Sequence, residues 1–126
     1  MAQDRFYLAE SLFYTAASAG IKGADVLLFS LYAEHMDEAG DKKLLDAFRR
    51  VMNIDLWSES IGKEVSNEIF LGDAMVEFAI ICYRASDDRA KATDMLLRII
   101  NSDRFDQYEQ IKKYARDSLM RLKSGK

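Results

Sequence analysis

The amino-acid sequence predicts an all-α protein, and three observations lead to this prediction. Apolar residues recur with helical spacing along nearly the whole chain, from Phe6 to Leu122. No segment shows the sustained alternation of apolar and polar residues that is typical of a half-buried strand. The chain contains no proline, so no residue lacks the amide hydrogen that a helix requires. We expect one domain over residues 1–126, frayed at 124–126, with six to seven antiparallel helices in a compact bundle or a short stack of helical hairpins.

The first two predicted helices are separated by glycines. Helix one spans residues 4–19, and the carboxylate of Asp4 can cap the free amides of its first turn. Gly20 and Gly23 are expected to end this helix, because glycine readily adopts the conformations found at helix ends. Helix two spans residues 24–39 and ends at Gly40. Its main apolar face comprises Leu27, Leu28, Leu31, Tyr32 and Met36.

The third and fourth predicted helices each follow an aspartate that can act as a cap. Asp41 begins the third helix, whose outer face carries four basic residues, Lys42, Lys43, Arg49 and Arg50. Asp55 begins the fourth helix, in which an apolar residue recurs every four positions, at Trp57, Ile61, Val65 and Ile69. A glycine inside this segment lowers its helix propensity by about 1 kcal/mol relative to alanine. A break near Ser66 and Asn67 is therefore the alternative to one continuous helix.

The stretch over residues 72–100 is expected to form the centre of the core. Residues 74–83 are apolar at almost every position, which is typical of a helix that is buried all round. Glu77 interrupts this run and is interpreted as an exposed edge, with a buried functional carboxylate as the alternative. An amphipathic helix over residues 89–100 follows. A seventh helix places six apolar residues on one face, namely Phe105, Tyr108, Ile111, Ala115, Leu119 and Leu122.

Two segments of the chain resemble each other. Residues 14–31 (YTAASAGIKGADVLLFSL) and residues 83–100 (YRASDDRAKATDMLLRII) share a tyrosine, an Ala-Ser pair, a lysine and an Asp-x-Leu-Leu block. The two Asp-x-Leu-Leu blocks lie 69 residues apart, close to twice the roughly 34-residue period of tetratricopeptide repeats. Residues 73–122 accordingly resemble a tetratricopeptide-like helical hairpin followed by a solvating helix. That resemblance implies packing roles in the second helix of the hairpin for Ala92, Leu96 and Ile99.

The usual signatures of catalysis, phosphate binding and metal binding are absent from the sequence. No glycine-rich phosphate loop and no Gly-x-Ser-x-Gly elbow occurs. His35 is the only histidine; Glu38 and Asp41 lie close to it in sequence, but one histidine cannot supply a histidine-rich metal site. Cys82 lies among apolar residues, where a small buried thiol is expected and a reactive thiolate is not. We therefore predict no catalytic residue, no cofactor and no metal site.

Charge and segment composition indicate the compartment and the classes of partner. No run of about 18 apolar residues exists, and the amino terminus lacks the pattern of a secretory signal. The single cysteine fits a reducing compartment, so we expect a cytoplasmic protein with no membrane span. The net charge of −3 is unevenly distributed, since residues 1–83 carry 14 Asp+Glu and 7 Lys+Arg, whereas residues 84–126 carry 7 and 11. Such an uneven distribution can steer association with a charged partner or another copy.

The first two helices have more apolar side chains than one core can bury. In helix one, two tyrosines lie about 100° from the phenylalanine face. In helix two, Val26 and Phe29 lie outside the main apolar face. These helices are therefore either central to the fold or part of an interface. We predict a non-catalytic, self-associating interaction module (an adaptor, chaperone-like or regulatory protein). Its partner-binding residues would be Phe6, Tyr7, Tyr14 and Phe29 for apolar contact and Glu34, Asp37 and Glu38 for charge.

Two alternative functions are retained. The first is nucleic-acid binding through the basic carboxyl-terminal helix. Its predicted phosphate contacts are Lys112, Lys113, Arg116 and Lys123. The second is a small helical enzyme that uses Glu77 or His35 beside another ionisable group. Each requires a local arrangement of side chains that the sequence does not define.

Overall fold

A computed structural model describes residues 2–86 and 88–124 of the chain. Within these ranges the protein is all-α and contains no strand, which confirms the predicted fold class. The helices are α1 (Ala2–Ser18), α2 (Lys22–Glu34), α3 (Met36–Val51), α4 (Glu59–Val65), α5 (Glu68–Ser86), α6 (Arg89–Asn101) and α7 (Glu109–Lys123), with a 3₁₀ turn at Asp103–Phe105. Most of the end that was predicted to fray, residues 125 and 126, lies outside the described residues.

The chain divides into two compact units, Met1–Leu71 and Gly72–Lys126. The single domain predicted from the sequence stays a prediction. The two similar sequence segments begin in the last turns of α1 and α5 and extend into α2 and α6. Their resemblance to a tetratricopeptide-like repeat also stays a prediction.

Helix α2 is the central helix of the first unit, because it packs against α1, α3 and α4. Val26 and Phe29, which lie outside its predicted apolar face, are both buried. The Phe29 ring lies 6.2 Å from the ring of Phe48 on α3. By contrast, Met36 is largely exposed, and Leu27 is only half-buried. The extra apolar width of α2 therefore reflects its neighbours on several sides, which is the first of the two explanations offered by the sequence.

The start of α1 and the junction between α2 and α3 differ from the prediction. Asp4 lies inside the first turn of α1, because the helix begins at Ala2, so it is not the cap. Helix α2 ends at Glu34, five residues before its predicted end, because His35 has the non-helical angles φ −126° and ψ 54°. Gly40 interrupts the next helix with φ 81°, a conformation that favours glycine, and the break predicted there is confirmed.

Gly23 does not end a helix but lies buried in the first turn of α2. A Cβ atom at this position would lie 2.4 Å from Cβ of Glu64 on α4. The absence of a side chain therefore permits the close approach of α2 to α4. Gly20, with φ 93°, is the glycine that follows the end of α1.

The segment between α3 and α5 shows the break that the sequence offered as the alternative. Asp55 does not cap α4, because its Oδ1 accepts a hydrogen bond from the amide of Trp57 in a local turn. Ser58 is the cap instead, and its hydroxyl accepts from the amide of Ile61 at 3.2 Å. Ser66 then ends α4 in the left-handed conformation, with φ 53°.

Helix α5 begins at Glu68, four residues before the predicted start at Gly72. The side chain of Asn67 explains the earlier start, because its Oδ1 accepts hydrogen bonds from the amides of Ile69 and Phe70. Gly72 lies within the helix, where an added Cβ would meet Ile111 of α7 at 2.5 Å. This glycine therefore permits close packing and does not begin the helix.

The second unit buries most of the predicted apolar faces of α6 and α7, although Ile100, Tyr108 and Leu122 are only half-buried. Ala92, Leu96 and Ile99 of α6 have no exposed surface, and α6 packs against α7. Phe105 is equally buried, but it lies on the 3₁₀ turn and not on the seventh helix. Glu77 is buried in α5, so its interpretation as an exposed edge is wrong. The residues before and after Glu77 on α5 are apolar, and Glu77 is buried together with them.

Candidate functional site

The first unit contains a concave, polar space of about 410 Å³, referred to below as the polar cleft. Helices α1, α2 and α3 supply its walls. The lining residues are Tyr7, Glu10, Ser11, Tyr14 and Thr15 of α1, Tyr32 of α2, and Lys43, Asp46 and Arg50 of α3. Its volume lies within the range of small-molecule sites in proteins, roughly 300–1,000 Å³.

Glu10 is the centre of the hydrogen-bond network in the polar cleft. Its Oε2 accepts a hydrogen bond from the Tyr32 hydroxyl at 2.7 Å and another from Lys43 Nζ at 2.8 Å. Burial raises the pKa of Glu10, but the hydrogen bonds from Lys43 and Tyr32 outweigh burial and hold the pKa below its usual value. Burial and the neighbouring carboxylate raise the pKa of Tyr32. At neutral pH this network consists of a carboxylate, an ammonium group and a neutral phenol.

Two further ion pairs surround the polar cleft. Arg50 Nε donates to Oδ1 of Asp25 on α2 at 3.1 Å, and the Asp25 side chain is mostly buried. Asp46 lies 3.6 Å from the guanidinium of Arg49, but both side chains are largely exposed. An exposed pair at this distance contributes little to stability and is screened by salt. Asp46 is therefore held much less firmly than Glu10.

A second concave surface, the apolar groove, lies between α1 and α2 and has a volume of about 210 Å³. Its walls are Ala9 and Phe13 of α1, Leu27, Ser30, Leu31 and Glu34 of α2, and Phe70. Of the described residues at this groove, Glu34 alone is charged. On α1, Leu8 and Leu12 directly precede the groove residues Ala9 and Phe13 in sequence. These two leucines are 64% and 62% exposed. Two leucines so exposed beside an apolar groove are typical of a binding surface.

The structure separates the four aromatic residues that were predicted to contact a partner. Tyr7 and Tyr14 are 53% and 59% exposed and line the polar cleft. Phe6 and Phe29 are 2% and 0% exposed, so the prediction that they form a contact surface is wrong. Phe6 instead packs within the unit, with its ring 5.7 Å from that of His35. The two phenylalanines lie on the sides of α1 and α2 that pack within the unit, whereas the two tyrosines lie on the side of α1 that lines the polar cleft.

The three predicted partner-binding acids lie near the junction of α2 and α3. Glu34 is exposed at the end of α2 and lines the apolar groove. Asp37 is exposed in the first turn of α3, and Glu38 beside it is half-buried. Of the three, Glu34 is the one that the structure places at a concave surface.

Two of the four predicted phosphate contacts on α7 are engaged by acids. Lys112 pairs with Asp106, and its side chain is only 13% exposed. Arg116 pairs with Glu109. Lys113 and Lys123 are exposed. Because the two ion pairs neutralise half of the predicted cluster, less charge is available to a phosphate backbone than the sequence suggests.

Cys82 and His35 are the two remaining candidates that the sequence raised for metal binding or nucleophilic chemistry. Cys82 is buried, and burial raises the pKa of its thiol. His35 lies half-buried at the junction of α2 and α3. Within residues 2–86 and 88–124, no group of three or more His, Cys, Asp or Glu side chains could hold a metal ion.

The sequence interpretation missed the residues of the polar cleft, apart from Tyr7 and Tyr14. Glu10 was not singled out, and Lys43 and Arg50 were assigned only to an outer face. In the α1 and α3 walls of the cleft, these residues nevertheless recur at helical spacing in the sequence. Glu10 lies one turn from both Tyr7 and Tyr14, and Asp46 lies one turn from both cations of α3. The sequence does not indicate that these two patterns lie on facing helices.

Comparison of the chain with protein-family models, curated proteins and solved structures gives no match. In the part of the chain that the structure describes, no helix combines the length and apolar character needed to cross a bilayer.

Proposed function

We propose that the protein is a non-catalytic interaction module that binds a second copy of itself through α1 and α2. The observation that carries this proposal is the apolar surface formed by Leu8, Leu12 and the apolar groove. Leu8 and Leu12 are one helical turn apart, so they lie on the same side of α1 and form a continuous stripe. A partner helix can place apolar side chains against this stripe and into the groove.

The charge distribution favours a second copy as the occupant. The first half of the chain is acidic, so two copies that meet through most of this surface would repel each other. The 17 residues of α1 contain only three charged side chains, Asp4, Arg5 and Glu10. Glu10 lies in the polar cleft, away from the leucines. Glu34 is the one charged residue among the described residues that line the apolar groove. Pairing through Leu8 and Leu12 therefore brings together surfaces that carry few charges.

The size of the surface sets the expected affinity. At 1.5 Å per residue α1 is about 26 Å long, and two adjacent helices are roughly 20 Å wide. The resulting footprint of roughly 500 Å² is below the roughly 800 Å² per partner that stable complexes bury. Burial of the remaining surface of Leu8 or Leu12 contributes about 1–2 kcal/mol for each leucine. We therefore expect a reversible dimer with a dissociation constant in the micromolar range.

Light scattering over about 1–300 μM protein tests this proposal directly. We expect the mass to rise from that of one chain toward that of two across this range. The variant Leu12→Glu removes two leucines from a symmetric dimer and places two carboxylates in the interface. It should weaken association roughly 30- to 1,000-fold, which corresponds to about 2–4 kcal/mol.

A matched control is available on α7. Met120 is 69% exposed and belongs to the second unit, so Met120→Glu adds the same charge to an apolar surface position elsewhere. Its dimerisation should equal that of the parent protein. A parent protein that stays monomeric throughout the range would contradict the proposal. So would a dimer that Leu12→Glu leaves intact.

A further inference from the structure

We propose that the polar cleft binds a small zwitterion that carries one ammonium group and one carboxylate, as free amino acids do. The cleft differs in chemistry from the apolar groove, because its walls combine acids, bases and hydroxyl groups. This inference goes beyond self-association and does not depend on it. It rests on the charge pattern of the walls, the hydrogen bonds that orient them, and the volume enclosed.

The charges that line the polar cleft are balanced and alternate in space. Two acids, Glu10 and Asp46, and two bases, Lys43 and Arg50, line the cleft. On α3 the acid lies one turn from each base. A ligand with a single positive charge would meet both bases, and a ligand with a single negative charge would meet both acids. A zwitterion can place each of its charges beside the opposite sign, so the electrostatics favour this class.

The two acids of the cleft can accept hydrogen bonds from an ammonium group. Both described hydrogen bonds of Glu10 end on Oε2, and they fix the orientation of the carboxylate. Its other oxygen, Oε1, is then the acceptor for a ligand. Asp46 can turn toward the same ammonium group, because its pairing with Arg49 is long and exposed. The low pKa of Glu10 keeps its carboxylate charged at neutral pH.

The two bases of the cleft can donate hydrogen bonds to a carboxylate. Arg50 uses Nε in its bond to Asp25, and the two terminal nitrogens of its guanidinium are the pair suited to bind a carboxylate. Lys43 donates one of its three ammonium hydrogens to Glu10. Both cations are already positioned by acids, so little side-chain freedom is lost when a ligand binds.

The size and aromatic lining of the cleft indicate which zwitterions fit. A space of about 410 Å³ accommodates an amino acid with a large side chain. The exposed rings of Tyr7 and Tyr14 lie on the α1 wall, one turn to either side of Glu10. An aromatic side chain can pack edge to face against one of these rings. L-Phenylalanine is therefore the first probe.

Three related compounds separate zwitterion binding from the alternatives. L-Phenylalanine carries both charges, phenethylamine lacks the carboxylate, and 3-phenylpropionate lacks the ammonium group. Titration calorimetry of the full chain should detect L-phenylalanine binding, and each analogue should bind at least about tenfold more weakly because one charged partner is lost. Equal binding of phenethylamine would indicate a cation site, and equal binding of 3-phenylpropionate an anion site. Either result, or no binding of L-phenylalanine up to about 10 mM, would overturn the proposal.

Neighbouring arginines provide a matched pair of variants. Arg50→Gln should weaken L-phenylalanine binding at least about tenfold, whereas Arg49→Gln should leave it unchanged or strengthen it, because Arg49 does not line the cleft and its loss releases Asp46. Glu10→Gln should weaken L-phenylalanine but leave the residual affinity of 3-phenylpropionate intact or improved. Circular dichroism confirms that each variant is folded. Equal losses in the two arginine variants would overturn the assignment of the carboxylate site.

Discussion

The substitution Gly23→Ala is expected to destabilise the protein, because the new methyl group has no space. Its Cβ would lie 2.4 Å from Glu64 Cβ, 3.0 Å from the Glu64 carbonyl carbon and 3.2 Å from the Val65 amide nitrogen. Carbon atoms in folded proteins prefer separations of about 3.5–4.0 Å. All three neighbours are backbone or are bonded directly to it, so no side-chain rotation can relieve the contact. Helices α2 and α4 would have to separate by about 1 Å to restore the usual spacing.

The magnitude follows from two opposing effects. Insertion of a methyl group into a packed site costs about 1–3 kcal/mol, and a rigid neighbour places this site at the upper end of that range. Alanine regains up to about 1 kcal/mol over glycine, because it has the higher helix propensity. The net loss in the free energy of unfolding should be about 2 kcal/mol. In a chain of this length that loss lowers the melting temperature by roughly 8 °C.

Urea denaturation followed by circular dichroism measures this loss, and Gly72→Ala is the matched comparison. An added Cβ at Gly72 meets Ile111 Cδ1 at 2.5 Å, Cγ2 at 2.9 Å and Cγ1 at 3.1 Å. These are side-chain atoms that can shift, so the net loss there should be about 1 kcal/mol or less. A Gly23→Ala variant that is as stable as the parent would refute the close approach of α2 to α4.

Four further predictions rest on individual hydrogen bonds and on burial. Tyr32→Phe should destabilise the protein by about 1.5 kcal/mol in urea denaturation, because it removes a hydrogen bond to a charged group. The pKa of Glu10 in the folded protein is below its ordinary value of 4.5. Its contribution to stability is therefore present above pH 4.5 and is lost as the pH falls through the folded pKa. Glu10→Gln should remove this part of the pH dependence of stability. Asn67→Ala should lower the free energy of unfolding by about 1 kcal/mol through loss of the α5 cap. Cys82 is buried, so it should react quickly with a thiol reagent only in denaturant.

The glycines show which features of the fold can be predicted from local sequence. Gly20 and Gly40 adopt positive φ angles, and the breaks expected there are present. Gly23 and Gly72 look the same in the sequence, yet both lie inside helices. Each leaves space for a residue that lies far along the chain. Gly23 makes room for Glu64, 41 positions later, and Gly72 makes room for Ile111, 39 positions later. A helix end depends on local backbone conformation, whereas close packing depends on tertiary contacts that local patterns do not contain.

The candidate site illustrates the same division between local and tertiary information. Apolar periodicity identifies α1 and α2 as unusually rich in apolar residues, but it does not show that Leu8 and Leu12 are the exposed ones. Periodicity does not separate Phe6, which is buried, from Tyr7, which is exposed. It also gives no indication that Glu10 meets Lys43, because that hydrogen bond joins residues 33 positions apart.

Helix α1 takes part in both proposed sites, and its geometry makes them separable. At 100° per residue, Glu10 and Leu12 lie about 160° apart around the helix, so they face nearly opposite directions. Leu12→Glu should therefore weaken dimerisation without changing the affinity for L-phenylalanine. Glu10→Gln should weaken L-phenylalanine and leave the mass of the dimer unchanged. If either variant abolished both properties, both would depend on the folding of α1 as a whole, and neither surface could be assigned its own role.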